Sequence, residues 1–75
     1  MSLSRRLTAI IEREGNGYVA LCPELDIASE GNTVETARLN LAEAVELFFE
    51  TADATEVAQR LGNEVFVTSV EVVIG

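Results

Sequence analysis

Gly17-Tyr18-Val19-Ala20-Leu21-Cys22-Pro23-Glu24-Leu25-Asp26, continued from Ile27 to Glu50 as IASEGNTVETARLNLAEAVELFFE, decides the fold. Tyr18 to Cys22 has the extended alternation of a strand. Pro23 lacks a backbone donor, so it ends the pairing or places it at a bend. Ile27 to Glu30 reads as a short third strand, antiparallel to the second, and Gly31 and Asn32 close it. A helix start follows. Either Asn32 is the N-cap, with Glu35 completing a capping-box spacing, or Thr33 caps and Glu35 lies in the first turn near the positive end of the helix dipole. From Thr33 to about Ala52, the residues Val34, Ala37, Leu41, Ala44, Val45 and Phe48 recur at three- and four-residue intervals and predict one core stripe, widened by Leu39, Leu47 and Phe49. Glu35, Arg38, Glu43, Glu46 and Glu50 lie largely off that stripe and read as a solvated face.

Upstream, residues 3–14 alternate unevenly, with Leu3, Leu7, Ala9 and Ile11 on one face and Thr8, Ile10, Glu12 and Glu14 on the other. Gly15-Asn16-Gly17 is a turn composition that tolerates positive φ, so this segment and the next form a β-hairpin. Downstream, Asp53 to Leu61 reads as a shorter helix, with Asp53 as N-cap and Gly62 as stop, or as a kinked continuation of the first. Val65 to Ile74 is rich in β-branched residues and predicts a fourth strand. No linker or repeat divides the chain, so residues 1–75 are expected to be one α+β domain of order β-β-β-α-(α)-β. A right-handed crossover places the last strand beside the first.

The last strand is apolar on both faces. Phe66, Thr68, Val70, Val72 and Ile74 share one, while Val65, Val67 and Val73 share the other with Ser69 and Glu71. Tyr18, Ala20 and Cys22 alternate with Val19 and Leu21 in the same way. A strand buried on both sides needs a layer above and below, and the helices available cover one face of a four-stranded sheet. The second face is expected to meet another copy, in a dimer or higher oligomer with Val65, Val67 and Val73 at the interface. The competing arrangement has the helix of residues 53–61 wrapping round to cover that face internally.

Composition narrows the function. A chain of 75 residues and 48% apolar composition folds, yet the surface scaling rules bury only about 60% of what the unfolded chain exposes. One cysteine forms no internal disulfide, and without histidine no zinc site joins it, so association is the remaining route to a fuller core. A net charge of −8, with five arginines and no lysine, argues against binding phosphates or an anionic membrane and favours a basic protein partner. Arg5 and Arg6 precede an apolar run too short for a secretory signal, and no stretch is long enough to span a bilayer, so the expectation is a cytoplasmic protein with Cys22 a reduced thiol.

Catalytic chemistry is poorly provided for. Without histidine there is no imidazole base, and without lysine no Schiff base or P-loop. Carboxylates are the remaining candidates: Glu12, Glu14, Glu24 and Asp26 would have to cluster to make a Mg²⁺ site of the kind two-metal nucleases use, and acidic residues are common throughout the chain. Cys22 ends an apolar strand with no basic neighbour in sequence, which marks a buried structural thiol. The expectation is a protein with no catalytic residues, no metal and no cofactor.

Tyr18-Val19-Ala20-Leu21-Cys22-Pro23-Glu24-Leu25, then Ser29, Gly31 and Thr33, then Glu35, Ala37, Leu41, Glu43, Ala44, Leu47 and Glu50 together resemble the HicB-like antitoxin family, with Val67 to Ile74 similar to its closing strand. The resemblance implies a partial RNase H-like fold of three antiparallel strands, a helix and a fourth strand. It brings no RNase H activity, since function lives in the site. It implies an inhibitor that binds a small basic HicA-type RNA-cleaving toxin and occludes its active surface. Within the motif, Pro23, Glu24, Leu25, Ser29, Gly31, Thr33, Glu35 and Ala37 are expected to serve folding: Pro23 the bend, Gly31 the turn, Thr33 the cap. Two departures stand out. Many members have Pro-Gly where this chain has Asp26-Ile27, which predicts a less tight bend. Full-length HicB antitoxins also carry a C-terminal DNA-binding domain, whereas this chain ends with its last strand, so operator binding is not expected. A stand-alone homo-oligomeric binding or structural module is the alternative.

Overall fold

The computed structural model describes residues 5–75. Three strands, β1 (Ile10–Glu14), β2 (Gly17–Cys22) and β3 (Ile27–Gly31), form an antiparallel sheet in that spatial order, followed by helices α1 (Val34–Thr51) and α2 (Ala54–Leu61). The α+β order is as expected through α2. Leu3 lies outside the described residues, and β1 begins only at Ile10, shorter than the alternation of residues 3–14 predicts.

The hairpin register pairs Ile11 with Ala20 and Glu14 with Gly17, and Gly15 takes a φ of 61° in the turn between them. On the other side of β2, Ala20 pairs with Ser29 and Cys22 with Ile27. Directly opposed residues share a face, so Ile11, Ala20, Cys22, Ser29 and Ile27 point one way. That face meets α1: Ala20, Cys22, Leu25, Ala37 and Leu41 are the buried core, flanked by Leu7, Ile11, Tyr18, Val45, Phe48, Phe49 and Leu61. The core is small because its residues are small. Only Leu25 and Leu41 among the five bring a large aliphatic side chain.

Thr33, not Asn32, caps α1: its hydroxyl accepts from the Thr36 N–H at 3.0 Å. Asp53 caps α2 in the same way, accepting from the Glu56 N–H at 2.8 Å, and Ala52 separates the two helices with extended backbone. Two helices rather than one kinked helix is therefore the outcome. Arg60 of α2 donates to the Leu25 carbonyl and lies over the Phe48 ring, 5.3 Å from its centroid, and Leu61 packs on the core. Thus α2 sits on the α1 side of the sheet and does not wrap round to its other face.

The stripe on α1 is narrower than its sequence suggests. Leu39, Leu47 and Val34 are 52%, 58% and 48% exposed, while Ala37 and Leu41 are buried and Val45, Phe48 and Phe49 half-buried. A three-stranded sheet offers too narrow a floor for the predicted stripe.

The expected fourth strand is not present. Residues 64–75 form no strand and pair with no strand among the described residues, and every residue from Gly62 onward is exposed. Placement beside β1 is therefore corrected as well. A strand exists only where another strand accepts its hydrogen bonds, and this segment leaves α2 without reaching its own sheet. The radius of gyration is 14.7 Å, against about 11 Å for a compact chain of this length.

Candidate functional site

The motif from Pro23 to Ala37 resolves into a folding unit. Pro23 opens the four-residue bend between β2 and β3, and Asp26 completes it with a φ of 55°. Asp26 lies in the left-handed region, which an aspartate tolerates better than most residues. The Glu24 carboxylate accepts from the Thr8 N–H at 3.1 and 3.2 Å and from the Thr8 hydroxyl at 2.7 Å, tying the segment before β1 to the bend. Burial works to raise its pKa, but the Thr8 hydrogen bonds outweigh this and hold the carboxyl below its ordinary value. Cys22 Sγ lies 3.6 Å from the same carboxylate, and burial, reinforced by the Glu24 charge, pushes the thiol up. A protonated, buried thiol is a poor nucleophile.

Leu25 and Ala37 are fully buried and Ser29 is half-buried on the helix side. Gly31 is required for a reason other than a turn. A Cβ there would stand 2.6 Å from the Ala37 nitrogen and 2.8 Å from the Thr36 carbonyl carbon, so its missing side chain lets β3 touch the first turn of α1. Glu35 stays exposed and pairs with Arg38 one turn on, which lowers the glutamate pKa through their hydrogen bonds. Thr8 and Arg60 complete this unit from outside the motif, and no local sequence pattern marks them.

Catalytic geometry is not assembled from the acidic residues. Glu12 and Glu14 project from the face of β1 away from the helices, Glu24 is engaged by Thr8, and Asp26 is exposed in the bend. Among the described residues no three of His, Cys, Asp and Glu are grouped so as to hold a metal ion.

Two surfaces remain that suit macromolecular contact. The first is the outer side of α1, where Leu39 and Leu47 stand exposed among Glu43, Glu46 and Glu50 on the face opposite Ala37 and Leu41. Glu43, Ala44, Glu46, Leu47 and Glu50 line a shallow concavity there. Its composition, apolar knobs among carboxylates, suits a basic protein surface with apolar relief. The second is the open face of the sheet, carrying Ile10, Val19, Leu21 and Ala28 between Glu12, Glu14 and Glu30. Val65, Val67 and Val73 are 38%, 61% and 98% exposed and meet neither surface within the chain's own sheet.

Among the described residues no helix is long and apolar enough to cross a membrane. No family model matches the chain, and no solved structure matches it. Over 53 residues it is 40% identical to a protein of Helicobacter pylori (strain J99) named UPF0150 protein, a match that takes in 69% of this chain and 74% of that relative. Identity at that level over most of both chains places this protein in the UPF0150 family.

Proposed function

We propose that this chain is an antitoxin-like binding module that neutralises a small basic HicA-type RNA-cleaving toxin by occluding its active surface. The observation that carries this reading is the outer face of α1, where exposed Leu39 and Leu47 are set among three carboxylates in a chain of net charge −8. The HicB-like resemblance of residues 17–50 supports it, with a partial RNase H-like arrangement as the fold. An acidic face steers a basic partner into contact and repels nucleic acid, while the leucines supply the apolar contact that slows dissociation. In this reading the protein has no catalytic role and no cofactor, contacts neither nucleic acid nor membrane directly, and works in the cytoplasm, where Cys22 stays reduced.

The test is coexpression with a small basic protein encoded beside its gene, followed by size-exclusion chromatography with light scattering and an RNA-cleavage assay. A stable mixed complex that suppresses cleavage establishes the reading. Charge reversal by Glu43→Lys with Glu46→Lys should weaken that complex at least tenfold in affinity, a change of about 1.4 kcal/mol, without lowering stability. A homo-oligomer that ignores its neighbour overturns it in favour of a stand-alone homo-oligomeric binding or structural module. That second reading is favoured by the uncovered sheet face and the unpaired segment of residues 64–75.

A further inference from the structure

We propose that residues 65–74 form the fourth strand in trans, pairing with the free edge of β1 in a second copy of this chain, so that two copies exchange C-terminal strands about a two-fold axis. This does not depend on any basic partner. The segment has the composition of a core strand, with Phe66, Val70, Val72 and Ile74 exposed by 81%, 84%, 67% and 92%, a degree of apolar exposure out of keeping with an isolated chain. Among the described residues it pairs with no strand.

Area gives the scale of what is missing. The chain exposes 6197 Å², whereas a compact monomer of its mass exposes about 4,500 Å². The surplus, about 1,700 Å² per copy, exceeds the roughly 800 Å² per partner of a standard stable interface. Among the described residues only five are buried, a small core of the kind that gains most from association.

The receiving edge is β1. In the sheet order β1-β2-β3 the two edges are β1 and β3. Helix α1 packs over β3 and β2 and scarcely reaches β1, and Asn40 of α1 donates to the Glu30 carbonyl at 2.8 Å, occupying part of the β3 edge. Next to the segment that leads into β1, an open groove is lined by Leu7, Cys22, Leu41 and Val45 together with the charged Arg5, Arg6, Arg38 and Glu46. A strand added to β1 and continued alongside that segment would lay alternate side chains into it.

The face of the incoming strand follows from apolar content. The set Val65, Val67, Ser69, Glu71 and Val73 offers three valines beside a carboxylate, fewer and smaller apolar side chains than the alternate set. The set Phe66, Thr68, Val70, Val72 and Ile74 carries no charge and enters the groove. Ser69 and Glu71 then stand with Glu12 and Glu14 on the open sheet face, and Val65, Val67 and Val73 extend its apolar part beside Ile10. Reciprocal exchange fills both grooves and closes both β1 edges at once, so the assembly is a closed dimer rather than a fibre.

The experiment is light scattering of the full chain together with disulfide trapping. Glu12→Cys is combined in turn with Val67→Cys, Ser69→Cys and Glu71→Cys, the outer-face positions that pass beside β1, with Cys22 left buried. A two-chain mass and, for at least one pair, a covalent dimer on a non-reducing gel are expected. Val70→Asp should abolish the dimer, while Ser69→Asp, on the outer face, should retain it. A single-chain mass overturns the proposal, as does a disulfide that forms only within one chain, which would mean the strand closes on its own sheet. A dimer that survives Val70→Asp unchanged overturns it too.

Discussion

Thr8 and Glu24, sixteen residues apart, are joined by both the backbone N–H and the hydroxyl of the threonine, which converge on one carboxylate at 2.7 to 3.2 Å. The pairing fixes the segment before β1 against the β2–β3 bend and forms one wall of the groove beside Cys22. Because these bonds favour the ionised form, the folded pKa lies below the ordinary value of 4.5. The stability they give is therefore fully present above that value and is lost as the pH falls through the lower, folded pKa. Glu24→Gln should cost about 1 kcal/mol at pH 7, a modest figure because the carboxylate is only partly buried. It should also flatten the acid limb of a urea-unfolding series measured below pH 4.5. Thr8→Val should reproduce the loss at neutral pH. An unaltered acid limb in Glu24→Gln would show that the contact contributes nothing.

Gly31 is tested by its own missing side chain. A methyl group at this position meets backbone atoms at 2.6 and 2.8 Å, and backbone cannot step aside as a flexible side chain would. Gly31→Ala should therefore destabilise the fold by about 1–3 kcal/mol by separating β3 from α1. Differential scanning calorimetry reads this as a lower Tm, by about 4–8 °C per kcal/mol in a domain of this size. Gly15→Ala is the control: its Cβ meets nothing within 4 Å, so only the cost of its φ of 61° applies, about 1–2 kcal/mol.

Cys22 is shielded twice, by burial at 1% exposure and by the Glu24 charge beside it, both of which keep its thiol protonated. Its reaction with a thiol reagent at neutral pH should be limited by opening of the fold and should accelerate steeply once urea unfolds the chain. Rapid, stoichiometric modification of the folded protein would contradict the buried placement.

The elements legible in the sequence are those whose contacts are local. The β1–β2 hairpin needs only Gly15-Asn16-Gly17, and β2, β3 and α1 follow one another through short connections with their turn and cap chemistry written at Pro23 and Thr33. Where the periodicity overreached, the reason is geometric: Leu39 and Leu47 repeat at helical spacing, yet the floor beneath α1 is only three strands wide and leaves them exposed. The alternation of Val65 to Ile74 carries the signature of a strand but not the identity of a neighbour, and the sheet of β1, β2 and β3 does not include it. Thr8 and Arg60 were illegible for a similar reason. A threonine in an irregular segment and an arginine on a short helix acquire their roles only when the bend at Glu24-Leu25 arrives beside them.

Asp26 offers a gain in stability. It is the one non-glycine residue with positive φ among the described residues, at 55°, and its side chain is exposed. Holding an L-residue there costs about 1 kcal/mol, less for aspartate than for most because its short carboxylate can bond locally. Glycine removes that cost but enlarges the conformational freedom of the unfolded chain, an effect of about 0.4–1 kcal/mol in the opposite direction. Relief of the strained φ and loss of one charge from a chain of net −8 both favour the substitution. Asp26→Gly should therefore be neutral to stabilising by about 0.5 kcal/mol, while Asp26→Val, β-branched at the same φ, should destabilise by more than 1 kcal/mol. Parallel urea titrations of the three proteins at pH 7 give the order, and a valine variant as stable as the parent would show that the bend relaxes to negative φ without penalty.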